Sequence, residues 1–249
     1  SHSPWIWVEN FMSRHNLPFA TNNNGYDGVD TKILVNSPEI KMHWSHVKDW
    51  LDKGWFGYYG AAWNDNQKPF EEGKVAIWMG SSGSFGGLSK LDLPFKFSAT
   101  YLPYWESVTK EPTQTFIGGA SLFAMSGKSA EENKATAAFF KYLTSPEVQY
   151  MWHRETGYVP ITTAAYEMAK ADGYYAKAPA AEVGIQQLSL PAGANTKGYR
   201  MGFYVQIRDV MNREFGRILG GETTVDAGFA TIETEANDLL AKFAQTQAQ

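Results

Sequence analysis

The tripeptide Ser-Pro-Glu occurs twice in this chain, at residues 37–39 and 145–147, and each copy is a signal for the start of a helix. Serine caps free backbone N–H groups, proline has a helical φ, and glutamate in the first turn complements the helix dipole. Apolar residues follow at helical spacing, and Gly54 and Gly157 mark the ends. The pattern predicts two helices with defined starts and ends.

Four further helices are predicted from caps and apolar spacing. Ser129 and Glu132 have the three-residue spacing of a capping box. After Thr224, apolar residues recur at every third or fourth position, which is typical of an amphipathic helix. The four predicted helices cover residues 129–143, 162–171, 204–219 and 224–243.

Short apolar runs between these helices are bounded by turn residues, as strands are. Alternating helices and strands are typical of an α/β fold. The predicted strands are residues 32–35, 75–79, 97–102 and 121–125.

The composition excludes several classes of protein. With 22 Lys and Arg against 26 Asp and Glu, the net charge is −4 and no basic stripe is available for nucleic acid. The absence of cysteine excludes disulfides, thiolate catalysis and cysteine-based zinc sites. No apolar run approaches the ~20 residues of a membrane span. The start, Ser1-His2-Ser3-Pro4, has neither Met nor the apolar stretch of a signal peptide, so we expect a processed or truncated chain.

Catalytic and metal motifs are also missing. The sequence contains no phosphate-loop motif, no dinucleotide fingerprint and no Gly-x-Ser-x-Gly elbow. His43 and His46 stand three residues apart on a predicted helix, but no third ligand has a standard spacing, so we expect solvent-facing histidines. We therefore predict no metal and no cofactor. The 26 acidic residues allow a glycosidase or phosphodiesterase pair without selecting one.

Three features favour ligand binding. Glycine-rich loops at residues 80–87 and 117–121 are either plain turns or sites where a ligand meets backbone N–H groups. Arg208 lies in a predicted helix with an apolar face, and its guanidinium requires either an acid such as Asp209 or a ligand anion. The 37 aromatic residues, nine of them tryptophan, suit either a very apolar core or a lined cleft for a ligand with flat faces.

Eight short segments, in order along nearly the whole chain, carry a family resemblance. They are residues 7–11 (WVENF), 16–20 (NLPFA), 23–28 (NNGYDG), 81–84 (SSGS), 117–122 (IGGASL), 156–162 (TGYVPIT), 196–198 (TKG) and 206–208 (QIR). Together they resemble the extracellular solute-binding proteins of ABC importers, the group that includes the maltose-binding protein, and most narrowly its members that bind glycerol-3-phosphate.

The resemblance implies an α/β, periplasmic-binding-protein-like fold of type II, with two lobes that close over a ligand. Two lobes of roughly 150 residues each are ordinary domain sizes, and this chain is too short for both. The resemblance therefore implies a C-terminal fragment. Residues 1–102 and 164–249 are expected in the C-terminal lobe, and residues 103–163 in the N-terminal lobe.

Ligand contacts follow from the resemblance at four matching positions and one weaker one. Ser81 would supply a hydroxyl, Gly119 a backbone N–H, Tyr158 a phenol and Arg208 a guanidinium, which suits a phosphate. Trp5 lies near a family tryptophan and would stack on the ligand. The family's contacts from the N-terminal lobe have no counterpart here, which predicts weak binding or none.

The resemblance implies a non-enzymatic, periplasmic or extracellular component of an ABC importer. It would capture glycerol-3-phosphate or a glycerophosphodiester and deliver it to permease subunits in the membrane. The alternative is a protein of the same fold that binds a neutral sugar or oligosaccharide, in which tryptophans stack on the sugar and Arg208 pairs internally. A glycosidase or phosphodiesterase is less favoured.

Overall fold

A computed structural model describes residues 3–62 and 65–247, so the predicted chain start at Ser1 and His2 lies outside the described residues. The chain divides into two compact units. Unit 1 comprises Ser1–Met79, Leu102–Ile117 and Leu188–Gln249, and unit 2 comprises Gly80–Tyr101 and Gly118–Gln187. These boundaries differ from the predicted division at 102/103 and 163/164, and the assignment of the units to lobes stays a prediction.

All six predicted helices are present. Ser37 Oγ accepts from the Ile40 N–H at 3.4 Å at the start of the first. The capping box is complete, because the Glu132 N–H donates to Ser129 Oγ at 3.2 Å and the Ser129 N–H donates to Glu132 Oε2 at 2.9 Å. The helices span Pro38–Asp52, Ala130–Leu143, Pro146–Thr156, Thr163–Ala171, Tyr204–Leu219 and Val225–Gln247.

The structure adds helical segments that the sequence patterns did not predict. A π-helical turn, Trp5–Glu9, continues directly into a short α-helix, Asn10–Arg14, and we call the two together the first helix. Its aromatic and β-branched residues have strand propensity, but burial of Ile6, Trp7 and Val8 overrides it. The remaining segments are Thr21–Gly25, largely left-handed, Lys68–Glu71, Ser82–Ser84, Phe85–Leu88, Tyr174–Lys177, Pro179–Ala181 and Val183–Leu188.

The strand predictions were wrong as elements. Within residues 3–62 and 65–247 the β-structure is a single antiparallel bridge between Ala20 and Ile33, and Ile33 is the one residue of the predicted strand 32–35 that takes part in it. The predicted strands 75–79, 97–102 and 121–125 have no partner strand in the described chain, and a strand forms only when a neighbour completes its hydrogen bonds. Ile77 and Phe123 are each 85% exposed, so apolar composition did not lead to burial.

The core of unit 1 is built where three helices, Pro38–Asp52, Tyr204–Leu219 and Val225–Gln247, pack together. Trp44, fully buried, stacks on Phe215 with ring centroids 4.1 Å apart. Apolar side chains of all three helices surround this pair, including Phe229. The helical periodicity of the sequence therefore identified the core correctly.

Unit 2 has a smaller core centred on Ala169, Tyr175 and Ala181. The Ala130–Leu143 helix contributes no buried residue to it, and Phe139 and Tyr142 remain 55% and 60% exposed. The amphipathic pattern of that helix predicted its conformation but not a partner for its apolar face.

His43 is buried, contrary to the prediction of two solvent-facing histidines, whereas His46 is exposed. The His43 ring stacks on Phe11 at 4.7 Å, and its Nδ1 accepts from Trp105 Nε1 at 3.1 Å. Burial, with smaller effects from His15 and His46, lowers the pKa of His43 from 6.5 to about 3.

Within the described ranges no group of three or more His, Asp or Glu side chains is arranged to hold a metal ion. The same residues include no helix with the length and apolar character needed to cross a membrane.

The Trp44–Phe215 stack predicts a large difference between two tryptophan substitutions. Trp44→Ala should lower the free energy of unfolding by about 3–5 kcal/mol, because it leaves a cavity in a closely packed core. Trp55→Ala should cost less than about 1 kcal/mol, because Trp55 is 74% exposed and contacts chiefly the Lys53 ammonium. Urea unfolding of both variants measures the difference, and equal losses would contradict the assigned core.

Buried, neutral His43 predicts a pH-dependent stability. Its pKa in the folded protein, about 3, lies below its ordinary 6.5, so the unfolded chain takes up the proton first. The stabilisation is fully present above about pH 6.5 and falls by about 1.4 kcal/mol per pH unit as the pH drops toward 3. Urea unfolding between pH 7.5 and 4.5 should show this slope. His43→Phe should lower the number of protons taken up on unfolding by about one, and the slope should fall accordingly. An unchanged slope in His43→Phe would refute the assignment.

Candidate functional site

Arg208 in unit 1 is held by a buried carboxylate. Its Nε and Nη2 donate to Oε1 and Oε2 of Glu9, both at 2.7 Å, which is the two-point geometry that a guanidinium and a carboxylate share. The Glu9 side chain is fully buried, while that of Arg208 is 38% exposed. The ion pair therefore has one buried partner and one that reaches the surface.

Two tyrosines complete this arrangement. The Tyr199 hydroxyl donates to Glu9 Oε2 at 2.6 Å and accepts from Arg208 Nη2 at 3.0 Å. The Tyr204 ring lies 5.3 Å from its centre to Arg208 Cζ, and it contacts the Tyr199 ring with centroids 4.4 Å apart and planes inclined by 40°. We call Glu9, Tyr199, Tyr204 and Arg208 the arginine clamp.

The surroundings of the clamp fix the protonation states of its tyrosines and of Arg208. Burial first, and then the negative charge of Glu9, raise the pKa of the Tyr199 and Tyr204 hydroxyls, so both stay protonated. Burial opposes the charge on Arg208, but the hydrogen bonds and charge of Glu9 outweigh it and raise the pKa of the guanidinium. Arg208 is thus a permanent cation in a fixed orientation.

The sequence allowed either an acidic side chain or a ligand anion as the partner of Arg208, and the structure shows an acidic side chain. That partner is Glu9 rather than the neighbouring Asp209. Among the described residues, the hydrogen bonds of Arg208 use Nε and Nη2. Sequence reasoning missed Glu9, although a signal was present, since a single acid within the apolar run from Trp5 to Met12 needs a cation as Arg208 needs an anion.

Trp5 lies one turn before Glu9 on the first helix. It is half-buried and packs against the core of unit 1. Trp5 and the carboxylate that holds Arg208 therefore share one short helical segment. Stacking of Trp5 on a ligand stays a prediction.

In unit 2, the structure brings the loop of Ser81 against that of Tyr158. Ser81 Oγ accepts from the Gly83 N–H at 3.1 Å and caps the turn Ser82–Ser84. A Cβ added to Gly83 would lie 2.7 Å from the Tyr158 ring, and one added to Gly157 would lie 2.5 Å from the Ser82 carbonyl oxygen. Glycine at both positions permits this close approach, and Gly157 also has a φ of +84°.

A buried histidine fixes the backbone of Tyr158. His153 Nδ1 donates to the Tyr158 carbonyl at 2.6 Å, and its Nε2 accepts from the Tyr175 hydroxyl at 2.9 Å. Burial lowers the pKa of His153, which favours the neutral ring that these two bonds require. The Tyr158 side chain itself is 46% exposed, so its phenol is accessible on an anchored backbone.

Gly119, also in unit 2, lies in an exposed segment. Its φ is +115°, and a Cβ added there would meet no atom within 4 Å. Such space leaves its backbone open to a ligand. Of the five predicted site residues, the structure thus places Trp5 and Arg208 in unit 1 and Ser81, Gly119 and Tyr158 in unit 2, with Ser81 and Tyr158 on loops in contact.

Two curated relatives match almost the entire chain. The sn-glycerol-3-phosphate-binding periplasmic protein UgpB of Yersinia enterocolitica is 38% identical over 243 residues, which are 97% of this chain and 55% of the relative. The protein of the same name from Salmonella typhimurium is 37% identical over 240 residues, 96% of this chain and 54% of the relative. The chain therefore spans about half the length of the curated relatives it matches.

Solved structures share its fold. The cyclic alpha-maltosyl-1,6-maltose binding protein from Arthrobacter globiformis has a TM-score of 0.68 at 23% identity, over 95% of this chain and 55% of that one. UgpB from Mycobacterium tuberculosis, solved with glycerophosphocholine, has a TM-score of 0.66 at 21% identity, over 87% of this chain and 51% of that one. The fold is thus that of maltose-binding-protein-like solute-binding proteins, over about half the length of the solved chains.

Residues 3–183 match the family described as bacterial extracellular solute-binding protein. This match covers well over half of the 249 residues and includes the three segments of unit 2 that carry Ser81, Gly119 and Tyr158. The resemblance seen in the eight short segments is therefore confirmed at the level of the family. The chain belongs to the bacterial extracellular solute-binding proteins.

Proposed function

We propose that this chain takes part in capturing a phosphorylated glycerol compound, either glycerol-3-phosphate or a glycerophosphodiester. The captured ligand would be delivered, outside the cytoplasmic membrane, to the permease subunits of an ABC importer. The observation that carries the proposal is the arginine clamp, which holds a half-exposed guanidinium in one orientation. The names of the relatives at 37–38% identity support the ligand class.

The clamp prepares Arg208 for an anion without using all its donors. Glu9 takes the Nε and Nη2 edge, which leaves Nη1 for a phosphate oxygen. A fixed guanidinium loses little freedom when a ligand arrives, and pre-organisation of this kind strengthens binding. Glu9 and Tyr199 are in this proposal positioning residues, which act on the ligand through Arg208.

Unit 2 would offer a phosphate neutral donors of its own, on Ser81, Gly119 and Tyr158. A phosphate ester accepts hydrogen bonds from hydroxyl and backbone N–H groups as readily as from cations. In a whole protein with two lobes, ligand contacts to both lobes would favour the closed state, because a ligand shifts the population toward the conformation it binds better. Capture and release involve no covalent step, so the proposal assigns no catalytic residue.

A neutral sugar or oligosaccharide is the second candidate. The internal pairing of Arg208 with Glu9 favours it, because the clamp is electrically neutral as a whole. Trp5, half-buried beside the clamp, offers an aromatic surface of the kind on which sugar rings stack. The two candidates differ in whether phosphate is needed for binding.

Removal of the guanidinium should distinguish a ligand contact from a purely internal pair. In a ³¹P NMR titration of this chain with glycerol-3-phosphate, Arg208→Ala should raise Kd about 10- to 100-fold, since a charge-assisted hydrogen bond contributes ~1.5–3 kcal/mol. Arg200→Ala is the matched control, because it removes an exposed arginine of the same unit and should leave Kd unchanged within about twofold.

Arg208→Ala also leaves the Glu9 carboxylate buried and unpaired, which destabilises proteins by about 3–5 kcal/mol. The double variant Glu9→Gln/Arg208→Ala removes that charge and should recover most of the stability while binding stays weak. Native affinity in a folded Arg208→Ala variant would remove Arg208 from the ligand site. A titration in which maltotriose binds and glycerol-3-phosphate does not would favour the sugar-binding alternative.

The contact between the two loops of unit 2 yields a second prediction. Gly83→Ala places a methyl group 2.7 Å from the Tyr158 ring, which must move, so affinity for glycerol-3-phosphate should fall about 3- to 30-fold. Gly87→Ala, at a neighbouring position with no atom within 4 Å of the new Cβ, should bind as the native chain does. The same ³¹P titration measures both variants. Equal affinities would show that the position of Tyr158 is unimportant for binding.

A further inference from the structure

A cavity of about 220 Å³ lies within unit 1 and is separate from the arginine clamp. Its walls come from the first helix, the Pro38–Asp52 helix, Met79 and the loop 102–105. Neither Glu9 nor Arg208 lines it. Ile6 and Asn10 of the first helix face the cavity, one residue beyond Trp5 and Glu9, so the two sites use adjacent faces of that helix.

Half of the residues that line the cavity carry flat aromatic rings. Trp50 and Trp105 lie nearly parallel, with ring centroids 6.1 Å apart and an interplanar angle of 17°. Trp7 and Phe11 each stack on the His43 ring, at 5.3 Å and 4.7 Å. Walls of this kind favour a guest that is itself planar, because stacked and edge-on contacts then form on several sides.

These rings are fixed in place by hydrogen bonds. The Trp105 backbone N–H donates to His15 Nε2 at 2.8 Å, and its indole N–H donates to His43 Nδ1 at 3.1 Å. His15 Nδ1 in turn donates to the Phe11 carbonyl at 2.7 Å. The cavity therefore has a defined shape before any guest enters, which lowers the cost of binding.

Three polar side chains of the lining already have protein partners. His43 Nδ1 accepts from Trp105, Asn10 Oδ1 accepts from the Phe116 N–H at 2.7 Å, and Arg14 Nη1 donates to the Thr113 carbonyl at 2.7 Å. A guest would therefore gain affinity chiefly from burial of its apolar surface. The Arg14 guanidinium in the wall disfavours a cationic guest.

We propose that this cavity binds an uncharged, planar aromatic or heteroaromatic molecule of one or two fused rings. An apolar cavity of roughly 150 Å³ is enough to hold benzene, so the volume here admits a bicyclic ring such as indole. The entrance lies at Leu102, Pro103 and Tyr104, which are exposed or half-exposed. The site is distinct from the proposed phosphate site in location and in ligand chemistry.

The test is a ¹⁹F NMR titration of this chain with 5-fluoroindole. The native chain should give a saturable shift. Leu102→Trp fills the cavity from its half-buried rim and should abolish the shift, whereas Ile77→Trp adds the same side chain at an 85% exposed position outside the lining and should preserve it. Saturating glycerol-3-phosphate should not displace the probe.

A second variant guards against misfolding of Leu102→Trp, which circular dichroism would reveal. Trp50→Leu removes one aromatic wall and keeps a side chain of apolar character, and it should weaken binding about two- to tenfold. The proposal is overturned if the native chain gives no saturable shift, if a folded Leu102→Trp binds as the native chain does, or if Trp50→Leu leaves the affinity unchanged. Displacement by glycerol-3-phosphate would also overturn it, because the probe would then occupy the phosphate site.

Discussion

The buried carboxylate of Glu9 is the constraint on which the candidate site of unit 1 depends. A charge without solvent is tolerated only when it is paired and hydrogen-bonded, and Glu9 meets this condition through Arg208 and Tyr199. Tyr199 lies 190 residues and Arg208 lies 199 residues after Glu9 in the chain. The ion pair of Glu9 and Arg208 therefore joins the first helix to the Tyr204–Leu219 helix. The same contact gives Arg208 a fixed direction. The proposed ligand contact of this unit thus depends on the same group of atoms that joins its distant segments.

Unit 2 uses backbone contact in place of a buried charge. Its hydrophobic core is small, and its two candidate loops meet where Gly83 and Gly157 leave no room for a side chain. His153 then fixes the carbonyl of Tyr158 from below, so an exposed phenol stands on an anchored backbone. The two units share one arrangement, in which a buried polar side chain orients a more exposed group. Glu9 orients the Arg208 guanidinium in unit 1, and His153 anchors the backbone of Tyr158 in unit 2.

The aromatic side chains of unit 1 divide into two roles. Trp44 fills the centre of the three-helix core, and any smaller side chain at this position would leave a cavity. Trp7, Trp50 and Trp105 instead surround an unfilled space, with His43 and His15 as the polar groups that hold the rings. The abundance of aromatics that suggested a ligand surface in the sequence therefore corresponds to a packed core and a lined cavity side by side.

The sequence by itself determined the six long helices, because caps such as Ser129 with Glu132 and apolar spacing such as that after Thr224 are local and act within a few residues. It also determined the family, through short segments in a fixed order. The partner of Arg208, the burial of His43 and the lack of strands at residues 75–79 and 121–125 were decided by tertiary structure. Ion pairs, burial and strand pairing join residues far apart in the chain, and no local pattern specifies which distant group arrives.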